Sequence, residues 1–321
     1  MTSSRSLTLG VLNGMGSGAL WGTVFIVPLL LHDFTSLQMT AGRYLVYGLI
    51  SLILLLPRWN ILKNILGKAE WIALIRLSML GNVLYYILLS TAIRTVGGPV
   101  TTLIIGFLPI AVLIMGIRAG SSIRIKQIAA PMSVSVLGIL LIVSRSFTVH
   151  AAATPTHPVA FSSQLIGLFC AVGALASWTL YAVENTRWLL KTSTVSDHDW
   201  SLLTGVVTGA LALVLVIPAF VFHALPHAWL DWARFWGVCS ATALLASVVA
   251  NGLWNRASRL LPLTLSGQMI IFETLFALLY SFVWAHRWPS FVEACAIICL
   301  ITGVLWCTAA HRTPHDTAEE A

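Results

Sequence analysis

The sequence predicts an all-α membrane protein of ten transmembrane helices, arranged as two inverted five-helix repeats. Three observations predict it. Ten apolar stretches recur along the chain, each of roughly twenty residues, the length that crosses a hydrocarbon core about 30 Å thick at about 1.5 Å rise per residue. Apolar residues make up 58% of the 321 positions and charged ones only 9%, with a mean hydropathy of +0.90. Soluble domains do not have that profile. The stretches also fall into two sets of five around a polar segment. Because five is odd, a second set descended from the first enters the membrane from the opposite side.

The predicted helices span residues 10–31, 38–57, 70–93, 99–117, 124–144, 164–188, 200–222, 233–257, 262–284 and 290–310. The first carries Gly14, Gly18 and Gly22 in two consecutive GxxxG steps, clearing one stripe for close approach by another backbone. Pro28 loosens it further along. It has no small-x-small cleavage site after a short apolar core and is read as retained. In the second, Arg43 lies about one and a half turns from the outer end, placed to snorkel or to pair with Asp33. Asn82, Tyr85 and Tyr86 cluster on the third, and Pro109 frees a carbonyl in the fourth. On the sixth, Trp178, Tyr181 and Asn185 follow a 3, 4 spacing on one face. There Glu184 precedes Arg187 by three residues, a spacing that favours a local ion pair. Arg43, Glu184 and Arg187 are therefore gating or ion-pair candidates. The eighth helix carries Asn251, Trp254 and Asn255. On the ninth, Gln268 and Phe272 are one turn apart, and Met269 and Glu273 form the neighbouring stripe.

These spans divide the chain into a first repeat over 1–144, an extracytoplasmic linker over 145–163, a second repeat over 164–310 and a cytoplasmic tail over 311–321. The short loops leave no room for a separate soluble domain.

The formal charge of +7 sorts by side of the membrane. With the amino terminus inside, thirteen of the eighteen Lys and Arg residues fall on or near the cytoplasmic side. Arg43, Arg94, Arg145, Arg234 and Arg287 fall outside. This positive-inside bias places both termini in the cytoplasm of a cell with the protein in its inner membrane. The basic character then reflects topology and anionic headgroups, and no basic aromatic stripe points to nucleic acid. The five cysteines all lie inside predicted helices, where small apolar packing is their expected role. Cys295 and Cys299 share a face at i and i+4, but without His or carboxylate partners they make no metal site.

The repeat can be tested by sliding the chain on itself. At an offset of 165 residues Ala92 meets Ala257, Arg94 meets Arg259, Phe107 meets Phe272, Leu113 meets Leu278, Gly138 meets Gly303 and Leu140 meets Leu305. Trp21 meets Trp178 and Pro57 meets Pro218 at smaller offsets, as differing loop lengths require.

Several short motifs carry a family resemblance. They are Ala19-Leu20-Trp21-Gly22, the run from Gln38 to Arg43-Tyr44, Gly106-Phe107-Leu108-Pro109, and Ala176-Ser177-Trp178. Further along come Gly267-Gln268, Phe272-Glu273-Thr274-Leu275-Phe276, Arg287-Trp288-Pro289 and Gly303-Val304-Leu305. In order and spacing the chain resembles the drug/metabolite transporter superfamily, as two EamA-type repeats with both ends inside. That resemblance covers nearly the whole chain. It implies a secondary carrier, often an exporter of amino acids, metabolites or drugs, with a central cavity between the repeats. Members often carry glutamates at the ends of the fourth and ninth helices. Here those places hold Arg118 to Gly120 and His286, so no coupling role carries over to them.

Glu273 is the sharpest chemical signal. It lies about 17 Å into a helix that begins near Pro262, close to the bilayer middle, where a carboxylate is costly and belongs in the bundle interior. There it is placed to bind a substrate amine or to exchange a proton, or else to fix interhelix packing. Its repeat equivalent is Leu108. Around the same depth Trp21, Asn82, Tyr85, Tyr86, Trp178, Tyr181, Asn251, Trp254, Gln268 and Phe272 supply hydrogen-bonding groups and aromatic faces. Such a lining suits a substrate with an apolar body and a few polar handles.

All nine His residues fall in loops, tails or helix ends, which disfavours a haem site or an intramembrane enzyme. No Gly-rich phosphate loop is present for an ATP-driven pump. The expected function is a secondary-active exporter of small amphipathic metabolites such as amino acids, aromatic or hydrophobic ones favoured, working by alternating access. A small-molecule substrate, the lipid bilayer and protons as coupling ion are its expected partners. It would act as a monomer or homodimer, with no cofactor, metal or nucleic acid. A non-transporting sensor or assembly protein is the alternative.

Overall fold

A computed structural model describes residues 4–96, 101, 104–118, 129–141, 161–221, 227–284, 286 and 288–310. Within them the chain is helical, with no strand among the described residues. The predicted tail 311–321 lies outside the described residues. So does the predicted linker up to residue 160, and its last three positions already belong to the next helix.

The described helices group into ten units in chain order. Unit α1 (Ser4–Gly22) tightens into a 3-10 turn at Thr23–Ile26 and ends in the short Val27–Leu30 turn that holds Pro28. Unit α2 (Ser36–Leu55) continues through Leu56–Arg58 into Trp59–Ile65. Unit α3 (Lys68–Ser78) passes through a π-helical stretch, Met79–Val83, into Leu84–Val96. Units α4 (Leu108–Arg118) and α5 (Ala129–Leu141) follow. Unit α6 is Phe161–Lys191 and α7 is Asp197–Val216, extended by a π-helical turn at Ile217–Val221. Unit α8 (Trp229–Thr242) widens at Ala243–Val249 and closes with Ala250–Leu260. Units α9 (Leu263–Trp284) and α10 (Phe291–Ala310) complete the bundle.

Among the described residues six continuous segments are long and apolar enough to cross a membrane: Ser36–Ile65, Lys68–Ala92, Gln164–Lys191, Asp197–Val221, Trp229–Leu260 and Leu263–Trp284. Their outward faces carry exposed Leu, Ile and Val, as lipid requires. Trp229 and Trp288, 84% and 91% exposed at the starts of α8 and α10, stand where an aromatic belt meets headgroups.

Helices begin where a side chain can satisfy backbone N–H groups that lipid cannot. Thr35 and Gln38 form a reciprocal capping box before α2: Thr35 N–H donates to Gln38 Oε1 at 2.8 Å, and Gln38 N–H donates to Thr35 Oγ1 at 3.2 Å. Ser290 and Glu293 do the same for α10. Ser196 Oγ accepts from the Asp199 N–H at 3.0 Å before α7.

Pro109 occupies the first turn of α4, where its missing N–H costs little. A turn at Gly106 and Phe107 precedes it, so the fourth predicted helix is interrupted rather than continuous.

Packing joins the two halves of the chain. The principal neighbour of α2 is α7, that of α3 is α6, and α1 lies against the last part of α8 and against α9, which also packs on α4. Gly14, Gly18 and Gly22 let α1 close on α9: a Cβ on Gly18 would stand 2.8 Å from the Glu273 amide nitrogen, and one on Gly22 would stand 2.9 Å from that of Ala277. The predicted GxxxG stripe is a packing surface.

Candidate functional site

Trp21, Trp178 and Trp254, from α1, α6 and α8, meet in one aromatic cluster. Ring centroids are 6.2 Å apart for Trp21 and Trp178, 5.4 Å for Trp21 and Trp254, and 5.5 Å for Trp178 and Trp254. Tyr181 joins it 5.8 Å from Trp178 and packs on Gly81 of α3, whose missing side chain makes room for the ring. Trp21 Nε1 donates to the Ala246 carbonyl at 3.0 Å. Ala246 lies in the π-helical stretch of α8, where widened geometry turns carbonyls away from the regular ladder.

The same carbonyl accepts from Arg43 Nη2 at 3.4 Å, and Arg43 Nε donates to Ser247 Oγ at 3.1 Å. The guanidinium carbon lies 5.4 Å from the Tyr44 ring centroid, and Tyr44 meets Tyr86 edge-on at 6.2 Å. Arg43 therefore turns into the bundle. The expected partner Asp33 is instead bonded to Arg234 at 2.8 Å. Local spacing suggested the wrong partner because the inward guanidinium meets α8 before it can reach the loop.

Glu273 is half-buried ten residues into α9, about 15 Å along by helical rise. Its backbone rests on Gly18. Phe272 and Tyr85 are likewise half-buried and pack against the core. Of the expected site residues, Trp21, Trp178, Tyr181 and Trp254 come together in one cluster, Phe272 and Glu273 lie against Gly18 of α1, and Tyr86 meets Tyr44 of α2.

Other expected site residues are committed elsewhere. Asn82 Nδ2 donates to Thr208 Oγ1 of α7 at 3.1 Å, and Asn251 Nδ2 donates to the Tyr47 hydroxyl at 3.3 Å, which in turn donates to the Ser201 carbonyl at 2.9 Å. Gln268 is fully buried, and its amide nitrogen contacts Met132 Sδ. These groups tie helices together.

Glu184 does not pair with Arg187. It takes Arg76 of α3 at 2.7 Å, across the two halves, and Arg187 is exposed. A second cross-half pair joins Arg58, after α2, to the buried Asp199 of α7 at 2.9 Å. Sequence reading missed Asp199 and Tyr47. Asp199 sits three residues after Ser196, the spacing of a helix start, and that was the available signal.

Apolar spans, outward-facing Leu and Ile, and polar contacts between helices in the interior define a multi-pass α-helical membrane protein. A family model described as "EamA-like transporter family" matches residues 8–144. The chain is 31% identical over 308 residues to "Inner membrane protein YtfF" of Escherichia coli (strain K12), covering 92% of this chain and 94% of that one. A solved crystal structure, 16% identical, superposes with a TM-score of 0.67 over 97% of this chain and 99% of its own, a likeness of fold. The chain belongs to the EamA-like transporter family, within the drug/metabolite transporter superfamily.

Proposed function

We propose that the chain is a secondary-active exporter of small amphipathic metabolites such as amino acids, with aromatic or hydrophobic ones favoured. It works in the inner membrane as a monomer or homodimer with both termini cytoplasmic, and protons are its coupling ion. The carrying observation is Glu273, a partly buried carboxylate midway along an apolar membrane-length helix. A charge in that place is retained where it meets water, substrate or a proton.

The moving parts in this reading are two inverted repeats, 1–144 and 164–310. Reciprocal packing supports it. A Cβ on Gly138 would press on Ala296 O and the Leu300 side chain, and one on Gly303 would press on Pro131 O and Ser135. These are the same contacts with the halves exchanged, at the 165-residue offset. The π-helical stretches of α3 and α8 are also equivalent at that offset, and each hooks the helix of the other half, Asn82 to Thr208 and Ser247 to Arg43. Alternating access is a rocking of such repeats about their shared surface.

The test is counterflow in sealed liposomes with amino acids, nucleosides and cationic drugs, run with and without a proton gradient. Movement of an amphipathic solute that responds to the gradient is the expected result. A protein that moves none of them is a sensor or assembly protein.

A further inference from the structure

At the end of the bundle opposite Arg76 and Glu184, the segment 27–34 packs into a hydrophobic cluster of its own. Val27, Leu31 and Phe34 meet Met39 of α2 with Phe235 and Cys239 of α8, and this cluster is distinct from the main core. Phe34 is buried in a cup of rings from the other half. His227 stacks on it with centroids 4.2 Å apart, Phe235 lies at 4.5 Å and Trp232 at 5.3 Å. Beside the cup, Arg234 Nη2 donates to Asp33 Oδ2 at 2.8 Å. Among the described residues this is the polar tie between 27–34 and the second half.

The segment is built to move as one piece. On one side α1 gives way to the 3-10 turn Thr23–Ile26, a tightening that often marks a hinge. On the other, the Thr35 and Gln38 capping box starts α2 without drawing on the segment. Its own backbone bonds close internally, Leu31 N–H donating to the Val27 carbonyl at 2.9 Å and Phe34 N–H to the Leu31 carbonyl at 3.1 Å. The Asp33 and Arg234 side chains are partly exposed, so their pair adds little to stability, and Arg234 keeps Asp231 at 3.3 Å when Asp33 leaves. Two buried atoms at the cup, His227 Nε2 and Arg234 Nε, have no hydrogen-bond partner among the described residues. The closed cup therefore carries a cost that water relieves on opening. There is also space to move into: Ile26 at the hinge, with Tyr280, Val283, Trp284 and His286 at and just beyond the end of α9, lines a groove of about 390 Å³.

We propose that segment 27–34 is the gate at this end of the transport path: a lid hinged at Thr23–Ile26, seated by Phe34 among His227, Trp232 and Phe235, and strapped by Asp33 to Arg234. It opens by leaving the cup while the crossing of α2 and α7 stays packed. Trp21 lies two residues before the hinge. Release of the lid exposes the cluster of Trp21, Trp178 and Trp254 to the side opposite the Arg76 and Glu184 pair. This rests on the transporter reading and names one of its gates.

The test uses the full-length protein. Asp33→Cys and Arg234→Cys are combined, and the two thiols are joined by a short crosslinker that a reductant cleaves. The wild-type protein and each single variant, treated alike, control for the five native cysteines. In liposomes, counterflow of amino acids, nucleosides and cationic drugs should fall to background with the crosslink in place and return when it is cleaved. Flux that ignores an intact crosslink removes the gate and leaves the transporter reading standing. Absence of flux in the untreated wild-type protein removes both. Hydrogen–deuterium exchange in detergent reads the lid without any solute. Phe34→Ala should speed exchange at the Leu31 amide by about tenfold or more, because the seat of the lid is gone. The amides of Tyr47 and Gly48, in the crossing of α2 and α7, should keep their wild-type rates. A change at both places, or at neither, overturns the proposal.

Discussion

Gly48 of α2 and Gly209 of α7 meet backbone to backbone, and a Cβ built on either would stand 2.5 Å from the other's Cα. The two glycines are separated in sequence by the same offset as Pro57 and Pro218, so this crossing falls where the proposed inverted repeats would meet. Each half contributes the same small residue to one contact, as an isologous surface requires. Gly48→Leu and Gly209→Leu should each destabilise the folded protein by about 1–3 kcal/mol, the usual cost of overpacking. Because they fill one gap, Gly48→Ala and Gly209→Ala together should depart from additivity. Thermal unfolding in detergent checks both, and additive, negligible shifts would contradict the close crossing.

The pair Arg76 and Glu184 at 2.7 Å joins α3 to α6 at the end of the bundle where the positive-inside bias puts the cytoplasm. Arg76 is half-exposed, so its worth to stability is small, about 1 kcal/mol or less. Its larger effect should be on which side of the bundle opens. Arg76→Gln should raise the labelling rate of a cysteine introduced at Ser78 by a membrane-impermeant reagent added from the cytoplasmic side. Exchanging the charges, with Arg76→Glu and Glu184→Arg combined, should restore the slow rate.

Helix positions were legible because burial in lipid writes a long apolar run into sequence, and cysteine- or phosphatase-fusion mapping should place residues 1–3 and the carboxyl-terminal tail on the cytoplasmic side. Partners across the bundle were not legible. Glu184 has Arg187 three residues away but pairs with Arg76, and Arg43 has Asp33 nearby but bonds Ser247. Sequence spacing reports only neighbours on one helix, whereas these partners arrive from the other half. The π-helical stretches at Met79–Val83 and Ala243–Val249 were also hidden, because no proline or glycine pair marks both. Of the site, the aromatic cluster around Trp21 was visible as a set of residues at similar depth. Which amides were free to meet a ligand was not.

Gln268 illustrates the last point. Its nitrogen lies on Met132 Sδ, and its buried Oε1 has no hydrogen-bond partner among the described residues. A buried amide left half-satisfied gains little from its polarity. Gln268→Met should therefore change stability by less than about 1.5 kcal/mol, the range of a volume-conserving swap, and leave flux of an identified substrate near the wild-type rate. A loss of flux with intact folding would return Gln268 to the substrate path.

Glu273→Gln is the corresponding test at the centre. The amide keeps the size of the carboxylate and its packing beneath Gly18, so the variant should fold and elute as the wild-type protein does. What it lacks is a site that can lose and regain a proton as the bundle alternates. If proton exchange at Glu273 drives the cycle, gradient-driven flux should fall to background while any remaining exchange of substrate for substrate becomes insensitive to pH. If Glu273 only anchors a ligand's ammonium, affinity should fall while the remaining flux keeps its pH profile. Liposome counterflow across a pH series separates the two, and wild-type flux and affinity at every pH would remove Glu273 from both roles.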